Sequence, residues 1–211
     1  MSMLHLAVVV LMSAGSGIAQ PATVLPQLVL DNEFVRILRV TVPPGSEVEL
    51  QGERDTVAVR LEGETVRFIS KGDHLLESNS AEHETVDLLV EVKRHWEAEM
   101  RPCSAPMRCT RETLLGNEPI AWTTTLFTNG FVTASKHRVV RGGTLTSSYY
   151  SAKGADRVIL VPFTSLDANF GGIQETLKAG QPYFSSATEV EVTGKDAESR
   201  WFVLRLNMPG K

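Results

Sequence analysis

The chain has 211 residues, of which 42% are hydrophobic and 22% are charged, and its formal net charge is −4. This apolar content can offset the entropy that a chain loses on ordering, so the composition excludes an intrinsically disordered protein. A mildly acidic chain has no electrostatic reason to bind nucleic acid, and we expect no nucleic-acid partner. The length allows one large domain or two small ones.

The N-terminal segment, Met1 to Gln20, contains no Lys, Arg, Asp or Glu. An apolar run from Leu4 to Met12 precedes small residues, a pattern that predicts a secretory signal peptide cleaved after Ala19. The run is too short to span a bilayer, which needs about 20 residues. Because no Lys or Arg precedes it, an N-terminal membrane anchor and a misassigned start codon are the alternatives. We expect an extracytoplasmic protein, periplasmic or secreted, whose mature chain has no membrane span.

The first strands after this segment recur later in the chain. Phe34 to Gly45 aligns without a gap with Phe131 to Gly142, at an offset of 97 residues. After the first of these runs, Val57, Val59 and Leu61 alternate with less apolar side chains, a period of two that predicts a half-buried strand. Glycine and proline turns separate several such stretches. The pattern predicts an all-β fold of two similar sandwiches or barrels.

Helix is predicted at only two places, Lys93 to Met100 and a short turn over Leu166 to Phe170. We therefore expect four parts in chain order. Residues 1–20 form the signal peptide, 21–97 the first barrel, 98–118 a connector and 119–211 the second barrel.

Both cysteines, Cys103 and Cys109, lie in the predicted connector. An even number of cysteines in an oxidising compartment favours a disulfide. The loop between them is short and contains Pro106, so closing it removes little chain entropy and mainly pins the connector. The alternative is a metal or redox pair, but the spacing matches neither a zinc knuckle nor C-x-x-C.

The glycine turns of the first copy resemble those of the cupin family. The first cupin motif opens with a Gly and carries His-x-His after five further residues, and the second opens with a Gly and carries a His eleven residues later. Here Gly45 opens the first motif and Gly72 the second, and His83 stands eleven residues after Gly72. From Leu28 to Asn207 the chain is similar to a bicupin. That resemblance implies tandem cupin-type jelly-roll β-barrels with little helix.

The slots that would hold a cupin metal are mostly filled by other residues in the first copy. Gln51 and Glu53 stand in the two His slots and Asp87 in the Asn slot, so only His83 matches a usual ligand. Imidazole and carboxylate bind zinc, iron or manganese, whereas an amide oxygen is a weak ligand. The resemblance thus implies at most a weak divalent-metal site at His83, Glu53 and Gln51, and no firm cofactor. The alternative is that His83 is a surface residue or a buried, hydrogen-bonded one.

The second copy resembles a cupin in which fewer motif residues are retained, with Gly142 and Gly180 at the openings of its two motifs. Its metal slots hold the following residues instead of His: Ser148 and Tyr150, or Tyr149 and Ser151, in the first motif, and Glu189 or Glu191 in the second. None of these sets matches the histidine ligands of the family's motifs.

Three residues of the second copy are candidates for contacting an unknown small molecule. Tyr149 and Tyr150 could stack on a sugar or aromatic ligand at a barrel mouth, or one could pack in the core and the other at the rim. His137 lies inside a predicted strand and could face the second cavity, although a strand histidine without a matched partner is usually structural. No spacing of Ser, His and Asp singles out a catalytic triad.

Three functions are compatible with these residues and with the resemblance. We favour an exported, bicupin-like protein that binds a small molecule or acts as a scaffold without catalysis. The second is a metal-dependent oxygenase, isomerase or lyase that uses His83 and Glu53. The third is an envelope interaction or assembly protein. A homodimer is expected under each, because cupin folds often pair through edge strands. The first two differ in whether His83 and Glu53 share a cavity.

Overall fold

The computed structural model describes residues 24–51, 53–93, 110–115, 117–151, 154–155 and 157–206. The chain divides into two compact units, Met1–His95 and Trp96–Lys211. In the described ranges every regular element is a β-strand, which confirms the predicted all-β class. None of these residues forms a helix of the length and apolarity that a membrane crossing requires.

The first unit has two antiparallel sheets. Its strands are β1 (Gln27–Asp31), β2 (Val35–Val42), β3 (Glu47–Gln51), β4 (Thr56–Arg60), β5 (Thr65–Ile69), β6 (His74–Ser78) and β7 (Thr85–Val92). The larger sheet has the order β1-β2-β7-β4-β5, and β3 pairs with β6. A cluster of buried apolar residues, Leu38, Val40 and Leu89 among them, shows which strand faces point into the unit.

The second unit repeats this arrangement with additional strands. They are β8 (Thr110–Leu115), β9 (Glu118–Thr128), β10 (Val132–Val140), β11 (Thr144–Ser148), β12 (Tyr150–Ser151), β13 (Gly154–Ala155), β14 (Arg157–Pro162), β15 (Leu166–Phe170), β16 (Ile173–Leu177), β17 (Tyr183–Ser185), β18 (Glu189–Thr193) and β19 (Glu198–Leu206). The sheets have the orders β17-β14-β19-β10-β9-β8 and β11-β18-β15-β16, and β12 pairs with β13. Strand β8 therefore belongs to this unit, although it lies in the range expected to be a connector.

The aligned runs adopt the same backbone structure in the two units. Before β2, the Asn32 side-chain oxygen accepts hydrogen bonds from two backbone N–H groups, and Asn129 makes the same turn before β10. The next turn also recurs. Gly45 has φ +68° and Gly142 has φ +73°, values that favour glycine because it lacks a Cβ atom. The offset of 97 residues therefore relates structurally equivalent positions.

The two units diverge at an inserted hairpin, β15 and β16. In the first unit β5 follows β4 directly and lies beside it, whereas in the second unit β17 occupies that place beside β14. The predicted helical turn over Leu166 to Phe170 is wrong, because the apolar residues of this segment recur every second position and form β15. The alignment of Gly72 with Gly180 is also wrong. Gly72 precedes β6, whereas Gly180 lies between β16 and β17 and donates its N–H to the Pro162 carbonyl, 2.7 Å away.

Several predictions made from the sequence lie outside the described residues. They are the signal peptide, the helix over Lys93 to Met100 beyond its first residue, and the disulfide between Cys103 and Cys109. These remain predictions.

Candidate functional site

The residues predicted to bind a metal do not meet in the first unit. His83 is exposed in the loop before the first residue of β7. Glu53 is exposed in the loop after β3, and its charge acts on Glu91, near the last residue of β7. An eight-residue strand is about 25 Å long, so the two side chains belong to opposite ends of the unit. Gln51 ends β3, and its side chain is not among those described.

No group of three His, Cys, Asp or Glu side chains that could hold a metal ion occurs among the described residues. His83 and Glu53, at opposite ends of the unit, therefore do not fit a shared divalent-metal site, and the part of Gln51 stays a prediction.

Buried ion pairs occupy one end of the first unit's interior instead. Arg60, at the end of β4, binds Asp87 with two hydrogen bonds, from Nε to Oδ1 at 3.2 Å and from Nη2 to Oδ2 at 3.1 Å. The same Nη2 lies 2.8 Å from Oε2 of Glu77. Asp87 is fully buried and Glu77 is 5% exposed. Burial raises the pKa of both carboxyl groups, and Arg60 partly opposes that effect.

The other end of this interior carries a weaker pair. Arg36 and Glu91 face each other on β2 and β7, with 3.9 Å between Nη1 and Oε2. Between the two ends lie the apolar residues Leu38, Val40 and Leu89. Among the described residues, the first interior thus carries ion pairs near both ends, with apolar side chains between them.

The second unit has an open cavity of about 620 Å³. This volume falls within the range of about 300–1,000 Å³ typical of small-molecule sites. We call it the β10 cavity after the strand at its centre. Its lining is dominated by hydroxyl groups and consists of Thr113, Thr123, Thr125, Thr133, Ser135, His137, Leu145, Thr146, Ser147, Ser148, Tyr149, Val203 and Arg205.

His137 is a buried polar side chain in the lining of the β10 cavity, and it is hydrogen-bonded at both ring nitrogens. It is 3% exposed, and both ring nitrogens have hydroxyl partners. Nδ1 lies 3.1 Å from Oγ1 of Thr123, and Nε2 lies 2.8 Å from Oγ of Ser135. The imidazole also stacks on the Trp201 ring, with the centroids 5.3 Å apart. Burial lowers the pKa of His137 to about 4, so the imidazole is neutral at neutral pH.

Tyr149, Ser147 and Arg205 form a second polar group on the same lining. Tyr149 is 7% exposed, and burial raises the pKa of its phenol to about 12. A hydrogen bond to Ser147 and the positive charge of Arg205 act in the opposite direction, so both groups lie near the phenol. At neutral pH the Tyr149 hydroxyl is protonated and can donate a hydrogen bond.

The geometry favours hydrogen bonding over proton transfer. Ser135 and His137 resemble a nucleophile and its base, but a general base works best when its pKa lies near the working pH. A pKa of about 4 makes this imidazole a weak base at pH 7. Thr123 stands where a carboxylate would stabilise a protonated imidazole, and a neutral hydroxyl does so poorly.

The structure brings two of the three predicted ligand contacts, Tyr149 and His137, into the lining of one cavity. The side chain of Tyr150 is not among those described. Sequence reasoning missed Thr123, Ser135 and Arg205. A signal for Ser135 was present, because the aligned runs put a serine where the first copy has an apolar residue.

Two further hollows lie on the surface of the second unit. One, of about 410 Å³, is lined by the acidic residues Asp167, Glu175 and Glu191 together with Lys195, which binds Asp167 at 2.8 Å. The other, of about 300 Å³, lies where the Arg138 guanidinium stacks over the Trp122 ring at 4.0 Å. Both consist mainly of half-exposed strand side chains.

Comparison with known proteins gives a fold but no family assignment. No family model matches the chain, and no curated protein matches it. Among solved structures, AerE from Microcystis aeruginosa covers 87% of this chain and 97% of its own, with 7% identity and a TM-score of 0.51.

Two further solved structures are described as cupins. A cupin 2 conserved barrel domain protein from Leptotrichia buccalis has 9% identity and a TM-score of 0.46, over 89% of this chain and 91% of its own. A cupin domain from Bordetella pertussis has 19% identity and a TM-score of 0.36, over 44% of this chain and 98% of its own. At such identities the likeness concerns the fold alone. The chain has an all-β fold of two units built from antiparallel sheets, and its likeness to AerE concerns that fold.

Proposed function

We propose that this protein binds a small polar molecule in the β10 cavity without transforming it. The observation that carries the proposal is a cavity of about 620 Å³ with a hydroxyl-rich lining and a buried, neutral His137. Thr123, Thr125 and Ser135 are partly exposed at the lining, and each hydroxyl can both donate and accept a hydrogen bond, so the lining suits ordered water or a ligand with polar groups. A ligand with several polar groups can replace that water.

A catalytic role has less support. The Ser135 and His137 pair lacks a base of suitable pKa, because burial lowers the pKa of His137 to about 4. A metal-dependent reaction at His83 and Glu53 has no geometric support, because both side chains are exposed at opposite ends of the first unit.

We propose further that the chain is a bicupin-like protein that works outside the cytoplasm. The apolar segment before Ala19 and the even pair of cysteines support export into an oxidising compartment. The net charge of −4 supports a small molecule rather than nucleic acid as the partner. A homodimer also remains a proposal, and light scattering that finds only a monomer at high concentration would contradict it.

The test fills the cavity and measures binding. The probes are D-glucitol, D-gluconate, 4-hydroxybenzyl alcohol and 4-hydroxybenzoate, followed by saturation-transfer NMR and calorimetry. Ser135→Leu introduces the residue of the equivalent position in the first unit, Leu38, and should abolish binding because the larger apolar side chain occupies the cavity. Thr124→Val is the matched control, since Thr124 lies on the adjacent strand but lines the outer hollow rather than the cavity.

Binding of at least one probe that Ser135→Leu abolishes and Thr124→Val preserves supports the proposal. Binding that survives Ser135→Leu contradicts it, and so does metal-stimulated turnover of any probe. Failure of all four probes at millimolar concentration also counts against a polar small-molecule site.

A further inference from the structure

We infer that the exposed edge of β16 binds an extended segment of another protein. The segment adds to the sheet as a further strand and places an Arg or Lys side chain beside Glu175. This interaction is independent of the β10 cavity and of any ligand there. Three features support it: the open backbone of β16, the groove beside that strand and the charge of Glu175.

The backbone of β16 is open on one side. The strand is one edge of its sheet, and four of its five residues are exposed. Two glycines with φ of +61° and +101° precede it, which are values of a two-residue hairpin turn. Bonded and non-bonded pairs alternate along such a hairpin, starting with the bonded pair of Phe170 and Ile173. Gln174 and Thr176 therefore direct their backbone N–H and C=O groups away from β15.

Strand β16 also lacks common forms of edge protection. Register shifts interrupt the pairing of two other edge strands, β1 and β8, and such bulges hinder the addition of another strand. All five residues of β16 pair with β15 in register, and the strand contains no Lys or Pro. A regular, exposed edge of this kind is what extended peptides pair with when they add a strand to a sheet.

A groove of about 180 Å³ lies beside β16. Glu175 lines one side of it, and Gln181, Pro182 and Tyr183 line the other. Tyr183 is the first residue of β17, an edge strand of the other large sheet, and its ring stacks on Phe170 with the centroids 4.6 Å apart. Small-molecule sites measure about 300–1,000 Å³, so the groove suits one side chain of a bound strand better than a separate ligand.

The groove favours a cationic side chain near Glu175. Burial, with the charge of Glu175 adding to it, raises the pKa of the Tyr183 phenol, so the carboxylate and the ring lie close together. Arg and Lys pair with carboxylates and also bind the faces of aromatic rings. Lys178 lines the groove as well, but within the described ranges Glu175 forms no ion pair with it or with any other residue.

The same carboxylate disfavours a second molecule of this chain as the partner. If two β16 strands paired antiparallel over all five residues, each Glu175 would lie opposite its own equivalent. Like charges directly opposite each other destabilise a strand pair, and a charge on the inward face is a common defence against such pairing. A foreign strand with Arg or Lys at that position replaces the repulsion with an attraction.

The test adds capped seven-residue peptides to the full, ¹⁵N-labelled chain and follows its backbone amides by NMR. The peptide TVTKTVT carries a central lysine with valines on the same face, and TVTETVT carries glutamate instead. One partly exposed charge pair predicts that the lysine peptide binds about 3- to 10-fold more tightly, with shifts at Gln174 and Thr176. Methylation of the amide nitrogens of its third and fifth residues removes the donors that face β16, and should weaken binding about 10-fold or more.

Glu175→Gln should bring the two affinities to within about twofold of each other, because the charge is lost while the backbone edge remains. Glu189→Gln is the matched control, since Glu189 is an exposed acid on β18, in the interior of the same sheet. It should leave the preference for the lysine peptide unchanged. Both changes affect exposed side chains, and the amide spectrum of each variant verifies that it is folded.

Equal affinity of the two peptides for the unaltered chain overturns the role of Glu175 and with it the inference. Shifts confined to other strands, binding that survives methylation, or failure of every peptide at millimolar concentration also overturn it. Shifts of the β16 amides on dilution of the protein alone would assign the edge to a second molecule of this chain instead. None of these outcomes bears on the β10 cavity, which is tested with different probes.

Discussion

At equivalent positions, the inward-facing side chains of the two units differ in chemical type. In the first unit Val40 pairs with Asp87, and in the second His137 pairs with Trp201. The neighbouring strand supplies Arg60 to Asp87 but Pro162 to Trp201. The first unit is therefore charged where the second is aromatic.

At the next inward-facing position along these strands, the first unit is apolar and the second unit is polar. The first unit packs Leu38 against Leu89, whereas the second puts Ser135 beside Val203. The first interior closes around matched charges and apolar side chains, and the second leaves a cavity with hydroxyls and one cation. One backbone arrangement thus carries ion pairs and apolar side chains in one copy and a candidate ligand site in the other.

The largest expected effect is on the buried ion pair of the first unit. Asp87→Ala removes the fully buried partner and leaves the Arg60 side chain, which is 20% exposed, with Glu77 as its nearest carboxylate. Breaking a buried pair costs about 3–5 kcal/mol, and the partial exposure of Arg60 places this variant at about 3 kcal/mol, the lower end of that range. Hydrogen exchange followed by mass spectrometry, resolved over β4 and β7, measures the change in the free energy of local unfolding.

The control for Asp87→Ala is Glu198→Ala. Glu198 pairs with Arg138 in the second unit, and both side chains are 42% exposed, so the cost should stay below about 1 kcal/mol. Equal costs for the two variants would show that the buried charges of the first unit are not a major source of its stability.

The second effect is a dependence of the second unit on pH. The pKa of His137 is about 4 when folded, against an ordinary value of 6.5, so the unfolded chain binds more protons between these values. The free energy of unfolding of this unit should therefore fall by about 2–3 kcal/mol as the pH drops from 7 to 4. Hydrogen exchange over β10 and β19 at several pH values measures it.

His137→Val introduces the residue of the equivalent position in the first unit, Val40. It should remove the contribution of His137 to the dependence of the free energy of unfolding on pH. Replacement of the exposed His83 by Ala should leave the slope of the second unit unchanged. If His137→Val keeps the full slope, the imidazole is not held neutral by burial.

The smallest effect concerns Glu77. Burial, with the charge of Asp87 adding to it, raises its pKa above 4.5, so the folded unit binds this proton more tightly than the unfolded chain. Its contribution to stability is therefore present at low pH and is lost as the pH rises through the raised pKa. Glu77→Gln should flatten that part of the pH profile of β6 and β7. An unchanged profile would mean that Glu77 ionises as in the unfolded chain.

Local sequence patterns located strands and turns. The alternation of Val57 and Val59 marked β4, although the predicted half-buried strand is wrong in that both of its faces are buried. The aligned glycines Gly45 and Gly142 marked equivalent turns. The same reasoning failed at Leu166 to Phe170, because the alternation of that short segment was read as a turn. The inserted hairpin β15 and β16 then shifted the alignment, so Gly180 was matched to the wrong turn.

The sequence by itself determined the all-β class and the repeat, because strand periodicity and turn residues are local properties of the chain. Tertiary structure alone decided which polar side chains meet. All eight residues of β7 are buried, so alternation there does not reveal which face is inward. Strand pairing then joins Thr123 to His137 and Thr133 to Arg205 across the sheet. Such contacts depend on how neighbouring strands align, which the sequence does not show. For that reason the exposed His83 was a candidate metal ligand from its spacing in the sequence, whereas nothing in the sequence singled out Arg205.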